Sequence, residues 1–174
     1  MTAAGTARML ARYNAWANRL IFDAVGQLPP GEATRERQTL FRNMVHTLNH
    51  NYVIDLIWQA HLEGRPHGFT ARNTAEHPPL PELWTAQQAV DAWYVAWSDH
   101  QTDAALEERV AFTFVGGGAG AMTRGQILRM VEMPLAAPTI IAGLRIAAVT
   151  TIGCYHLLAS LLPTRLHLRF ATAV

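Results

Sequence analysis

Met44-Val45-His46-Thr47-Leu48-Asn49-His50-Asn51-Tyr52-Val53-Ile54-Asp55-Leu56-Ile57-Trp58 is the stretch on which the fold turns. Apolar residues recur through it with helical spacing, and a helix is expected over roughly residues 39–62. His46 and His50 stand four apart, so on a helix their rings project from one face and can begin a metal site. Two histidines do not complete one. A catalytic divalent ion usually takes three protein ligands, and in a helical bundle these converge from facing helices. The plainer alternative for such a pair is a core or surface role without metal.

Working outward, Met9, Tyr13, Trp16, Leu20, Ile21 and Val25 repeat at three or four residues, which predicts an amphipathic helix over residues 6–28. Pro29-Pro30-Gly31 stops it, and Gly64-Arg65-Pro66-His67-Gly68 stops the second helix. A proline-rich loop then leads to a third helix over residues 81–106, whose Trp84, Val90, Trp93, Tyr94 and Trp97 form an aromatic face. Aromatic residues at this spacing serve more often as core than as a ligand pocket. Val110 to Val115 reads as a short strand, and Gly116 to Gly120 as the turn of a small hairpin. Thr123 stands three residues before Gln126, the capping-box spacing, so a fourth helix is expected to start near Thr123. The expected fold class is all-α, a four-helix bundle in a single domain spanning residues 1–174.

The 174 residues are half apolar and carry a net charge of +1, enough for one compact domain. All fourteen basic residues are arginine and none forms a block, which argues against a nucleic-acid partner. Without lysine, the glycine run cannot be a nucleotide phosphate loop. Cys154 is the single cysteine, so neither an intramolecular disulfide nor a multi-cysteine zinc site is available, in keeping with a cytoplasmic setting. Arg8, Arg12, Asn14, Asn18 and Arg19 interrupt the first helix, and no export signal is expected there. The one stretch that invites a membrane reading, residues 139–162, contains Arg145 and His156, so no membrane partner is expected. Ser98-Asp99-His100 are adjacent in sequence, which does not make a triad. Arg35, Arg37 and Arg42 read as a solvated face.

Three separated motifs together resemble the DinB/YfiT family: Tyr13-Asn14-Ala15-Trp16-Ala17-Asn18, the Met44–His50 run with Asp55 and Ile57-Trp58, and Met122-Thr123-Arg124-Gly125-Gln126. The resemblance covers about residues 7–131. It implies an up-down-down-up four-helix bundle, often dimeric, that binds one divalent metal through three histidines, with His50 matching the first of them. Zinc, nickel, iron and manganese all remain open. The implied activity is that of a metal-dependent thiol S-transferase, in which the ion holds a low-molecular-weight thiol as thiolate for attack on an electrophilic small molecule. The alternative is a metal-free helical bundle serving as a binding or dimerisation module, as a homodimer.

From about residue 132 to 174 the chain departs from the family pattern and becomes an atypical apolar tail. The family's other two ligands lie four apart on the fourth helix, the second within His-Arg-Gly, and neither is present where this chain should carry them. His156 and His167 lie too far along to match. With GC-rich codon usage at Thr139, Ile140, Ile141 and Ala142, the frame entered at each third base spells His-His-Arg-Gly across Thr139 to Gly143. The tail is therefore expected to be an out-of-frame translation, leaving the metal site incomplete. After Glu132 there is no acidic residue, and Pro134 and Pro138 interrupt what should be a continuous helix.

Overall fold

A computed structural model describes residues 2–131. The tail from residue 132, with Cys154, His156, His167 and the Thr139–Gly143 segment, lies outside the described residues.

The described part is mainly helical. In chain order it comprises α1 (Ala3–Gly26), α2 (Met44–Leu62), α3 (Leu80–Asp99), the short α4 (Asp103–Leu106), β1 (Arg109–Thr113) and β2 (Ala119–Thr123). The chain is helical again over residues 124–131. Side chains satisfy free amides at the starts of α1, α2 and α4, whereas α3 starts after Pro79 without a side-chain cap. Thr2 accepts from Gly5 N, Asn43 from His46 N, and Thr102 from Ala105 N. At the last helix Gln126 N donates to Thr123 Oγ1 while Thr123 N donates to Gln126 Oε1, the reciprocal pair expected of a capping box.

Two boundaries differ from the sequence reading. The second helix begins at Met44 rather than near residue 39, because Asn43 caps it. The third ends at Asp99, where the chain breaks before Thr102 caps α4. A larger difference concerns α1. Met9, Tyr13, Trp16 and Leu20, which carry the sequence periodicity, are 37–49% exposed, while Ala4, Ala7, Ala11, Asn14, Ala17, Asn18 and Phe22 are buried. Four of those seven are alanines, which hydropathy patterns register weakly although they permit close helix packing.

α1 and α3 run antiparallel. Ala4 N donates to Asp103 just past α3, Arg8 to the Gln101 carbonyl, Arg12 to Asp99 and Asn18 to Asp91, so partner numbers fall as α1 advances. The core has two apolar parts. Phe22, Val45, Leu48 and Leu83 form one. Ala4, Ala7, Trp58, Leu62, Val90 and Tyr94 join Phe112 and residues 127, 128 and 131 in the other. Buried polar side chains, Asn14, Asn18, Asp55, Gln87 and Asp91, occupy intermediate positions along the three long helices.

The hairpin closes one end of the second core part. Its register pairs Arg109 with Thr123 and Thr113 with Ala119. Gly117 and Gly118 turn the chain at φ of 85° and 88°, values that a side chain would oppose. Gly120 faces Phe112, whose ring lies 2.5 Å from where a Cβ would stand. No helix among the described residues is long and apolar enough to cross a membrane.

Candidate functional site

His46 and His50 project from α2 toward the loop that follows it, and both are half-buried. His46 Nε2 lies 2.9 Å from the Thr74 carbonyl, and His50 Nδ1 lies 2.5 Å from the Arg72 carbonyl. A carbonyl only accepts, so each of these nitrogens carries its proton. The neutral His50 ring therefore keeps its lone pair on Nε2, and that of His46 on Nδ1. A backbone carbonyl that fixes the tautomer in this way is the usual outer support of a metal-ligating histidine.

Three further contacts hold this loop against α2. Asn49 Nδ2 donates to Asn73 Oδ1 and to Thr74 Oγ1, while Asn73 Nδ2 donates back to the His46 carbonyl. Phe41 stacks on His50 with ring centres 4.2 Å apart, and His77 lies 5.6 Å from the His46 ring. Arg42 turns the chain between Phe41 and the α2 cap at φ of 64°, a left-handed conformation that disfavours a residue with Cβ. Burial pushes the His50 pKa below its ordinary value, the Arg72 charge adds to the shift, and the bond to the Arg72 carbonyl opposes both. The ring is thus biased toward the neutral form that binds a metal.

The two histidines share one helix face and one covering loop, yet no group of three His, Cys, Asp or Glu side chains that could hold an ion comes together among the described residues. His50 fits as one ligand. A full ligand set is not formed by the described residues. Ser98, Asp99 and His100 do not combine either: they bond to the Val95 carbonyl, Arg12 and the Ala96 carbonyl in turn.

The sequence reading missed two constellations. The first is a cavity of about 290 Å³ further along α2, lined by Ile54, Ile57, Trp58, His61, Arg72 and the β1 end of the hairpin. His46, His50, Ile54, Ile57 and His61 follow each other at intervals of four, four, three and four, so they share a face of α2. That spacing was the available signal. His61 meets Trp58, His67 and Phe112 with ring centres 5.3–5.7 Å away. Its pKa is lowered by burial first and by the neighbouring His67 second, against a raising bond to the Thr113 backbone.

The second is the buried carboxyl pair. Gln87 Nε2 donates to Asp55 Oδ2 at 2.8 Å and to Asp91 Oδ1 at 3.0 Å, and Asn18 Nδ2 donates to Asp91 Oδ1. Burial pushes the Asp55 pKa up to about 8, partly offset by the Gln87 bond and reinforced by the Asp91 charge. Burial also raises Asp91, against the bonds from Gln87 and Asn18. Asp91 Oδ2 and Asn14 Oδ1 are both buried without a hydrogen-bond partner. Tyr94, expected in the core, is 2% exposed and donates to the Asp55 carbonyl oxygen.

The family model described as the DinB family matches residues 1–131. The chain belongs to the DinB family. The match ends at residue 131, at the point where the sequence departs from the family pattern. Protein DinB of Bacillus subtilis (strain 168) is 41% identical over 49 residues. That stretch is 28% of this chain and 28% of the relative, so the chain covers little of that relative's length.

Proposed function

We propose that this DinB-family chain is built for divalent-metal binding in the service of thiol transfer to an electrophilic small molecule, with His50 the ligand supplied by α2. The observation that carries the reading is the His50 Nδ1 bond to the Arg72 carbonyl, which leaves Nε2 as a fixed lone-pair donor. Phe41 shields one face of the ring, and the lowered pKa keeps the ring neutral at physiological pH. His46 holds the covering loop through Nε2 and has only Nδ1 to offer an ion. His50 and His46 are the ligands offered from the described residues, which do not complete a set of three.

The test is metal content after equilibration with Zn²⁺ or Ni²⁺ and desalting, comparing the native chain with His50→Ala and His46→Ala. Loss of retained metal in His50→Ala with a smaller loss in His46→Ala is the expected result. Equal retention in the native chain and His50→Ala overturns the reading. An up-down-down-up arrangement, with the helix that starts after Thr123 returning beside α1, fits the placement of residues 127, 128 and 131 against Ala4 and Ala7.

One observation favours a second reading, a metal-free bundle that dimerises. Met9, Tyr13, Trp16 and Leu20 are spaced four, three and four apart, lie opposite the buried stripe of α1, and are 37–49% exposed. A continuous exposed apolar line of this kind marks an interaction surface more often than chance.

A further inference from the structure

The cavity lined by Ile54, Trp58, His61 and Arg72 has the composition of a ligand site. Its volume of about 290 Å³ is near the lower end of the range for small-molecule pockets. Its walls are apolar and aromatic: Trp58 and Phe112 meet edge to face at 5.2 Å, and Phe114 closes edge to face on Phe112 at 5.0 Å. Phe114 remains 53% exposed at the rim, so an apolar surface there is left open to water.

His61 and Arg72 are the lining residues that titrate or carry charge, and no lining residue is acidic. Arg72 makes none of the ion pairs formed among the described residues. A guanidinium carried by a residue that lines an acid-free aromatic cavity complements a planar carboxylate, to which it can donate two parallel hydrogen bonds. Burial biases His61 toward its neutral form, so the net positive charge comes from Arg72.

We infer that this cavity binds a small aromatic carboxylate, the ring seated against Trp58 and Phe112 and the carboxylate held at the rim by Arg72. Arg72 then has two roles from one residue: its carbonyl fixes the His50 ring and its guanidinium fixes the ligand. A carboxylate-bearing electrophile bound this way has its apolar body against Ile54, one helical turn from His50. The placement of the ligand as a substrate rests on the function proposed above. Binding itself does not, because every residue invoked for it is present without metal.

The experiment uses the full chain, treated with chelator, and phenylacetate as the probe, with the neutral isostere phenylacetamide as control. Binding is followed by two-dimensional NMR of the tryptophan indole N–H signals, with the Trp58 signal assigned through Trp58→Phe. Phenylacetate is expected to shift the Trp58 signal saturably, with affinity at least tenfold above that of phenylacetamide. Arg72→Gln, an exposed loop substitution that leaves the core intact, is expected to bring the acid down to the amide's affinity. Equal affinity for acid and amide, no effect of Arg72→Gln, or shifts confined to other tryptophans each overturn the inference. Metal retention by His50 is read in a separate measurement, so either proposal can fail while the other stands.

Discussion

Replacing Asp55 by Asn tests whether the buried carboxyl pair shapes the pH dependence of stability. The Asp55 pKa is raised by burial from 3.8 to about 8 in the folded chain. Between those values the folded state binds more protons than the unfolded state, so stability falls as pH rises. The contribution is fully present below the unfolded value and is lost as pH climbs through about 8. One pKa unit corresponds to about 1.4 kcal/mol, so Asp55 contributes a slope of up to about 1.4 kcal/mol per pH unit across this window. From pH 5 to pH 7 that amounts to at most about 3 kcal/mol, a large share of a typical domain's stability. Asn is nearly isosteric, keeps an oxygen acceptor for Gln87, and does not titrate. The Tyr94 bond to the residue 55 carbonyl is untouched, because it is made to the backbone. Urea unfolding followed by circular dichroism at pH 5, 6 and 7 should show the native chain losing stability faster than Asp55→Asn. The advantage of the variant should grow by about 2 to 3 kcal/mol over that range. Asp91 titrates with the same sign in both proteins and contributes its own slope to each. Parallel pH profiles for the two proteins would refute the argument that Asp55 is folded in its protonated form.

Gly120→Ala places a Cβ 2.5 Å from the Phe112 ring, which Trp58, His61 and Phe114 hold in place. A loss of about 1 to 3 kcal/mol in urea unfolding is expected, and an unchanged midpoint would mean that the ring moves freely. Trp16→Glu puts a charge at the centre of the exposed α1 line. Sedimentation equilibrium is expected to give a dimer for the native chain and a monomer for the variant; a monomer in both cases removes the dimerisation reading. His50→Ala is expected to lose retained metal, and the lowered His50 pKa predicts that the native chain keeps its metal to a pH below the ordinary imidazole range. Metal content measured from pH 5 to 7 tests this, and release at or above pH 6.5 would contradict it.

Local signals were enough for the start of the last helix and for the hairpin, though the second helix starts at Met44 and not near residue 39. The Thr123 and Gln126 capping box, the glycine turn and the second helix carrying His46 and His50 all follow from residues within a few positions of one another. Family membership was legible for a related reason: its motifs are short, separated and tied to particular side chains, and the family model spans residues 1–131. The buried face of α1 was not legible. Hydropathy ranks Trp16 and Leu20 above Ala7 and Ala11, whereas the bundle selects the small residues because they admit a neighbouring helix. Nor could one sequence show that His50 is held by a carbonyl 22 residues away, or that Asp55 and Asp91 share Gln87. By itself, then, the sequence determined the helical and hairpin segments and the Thr123 cap, because those depend on near neighbours along the chain. Only the tertiary structure decided which nitrogen of His50 is free, which stripe of α1 is buried, and where Arg72 meets an aromatic cavity. Those depend on groups far apart in sequence, brought together by packing.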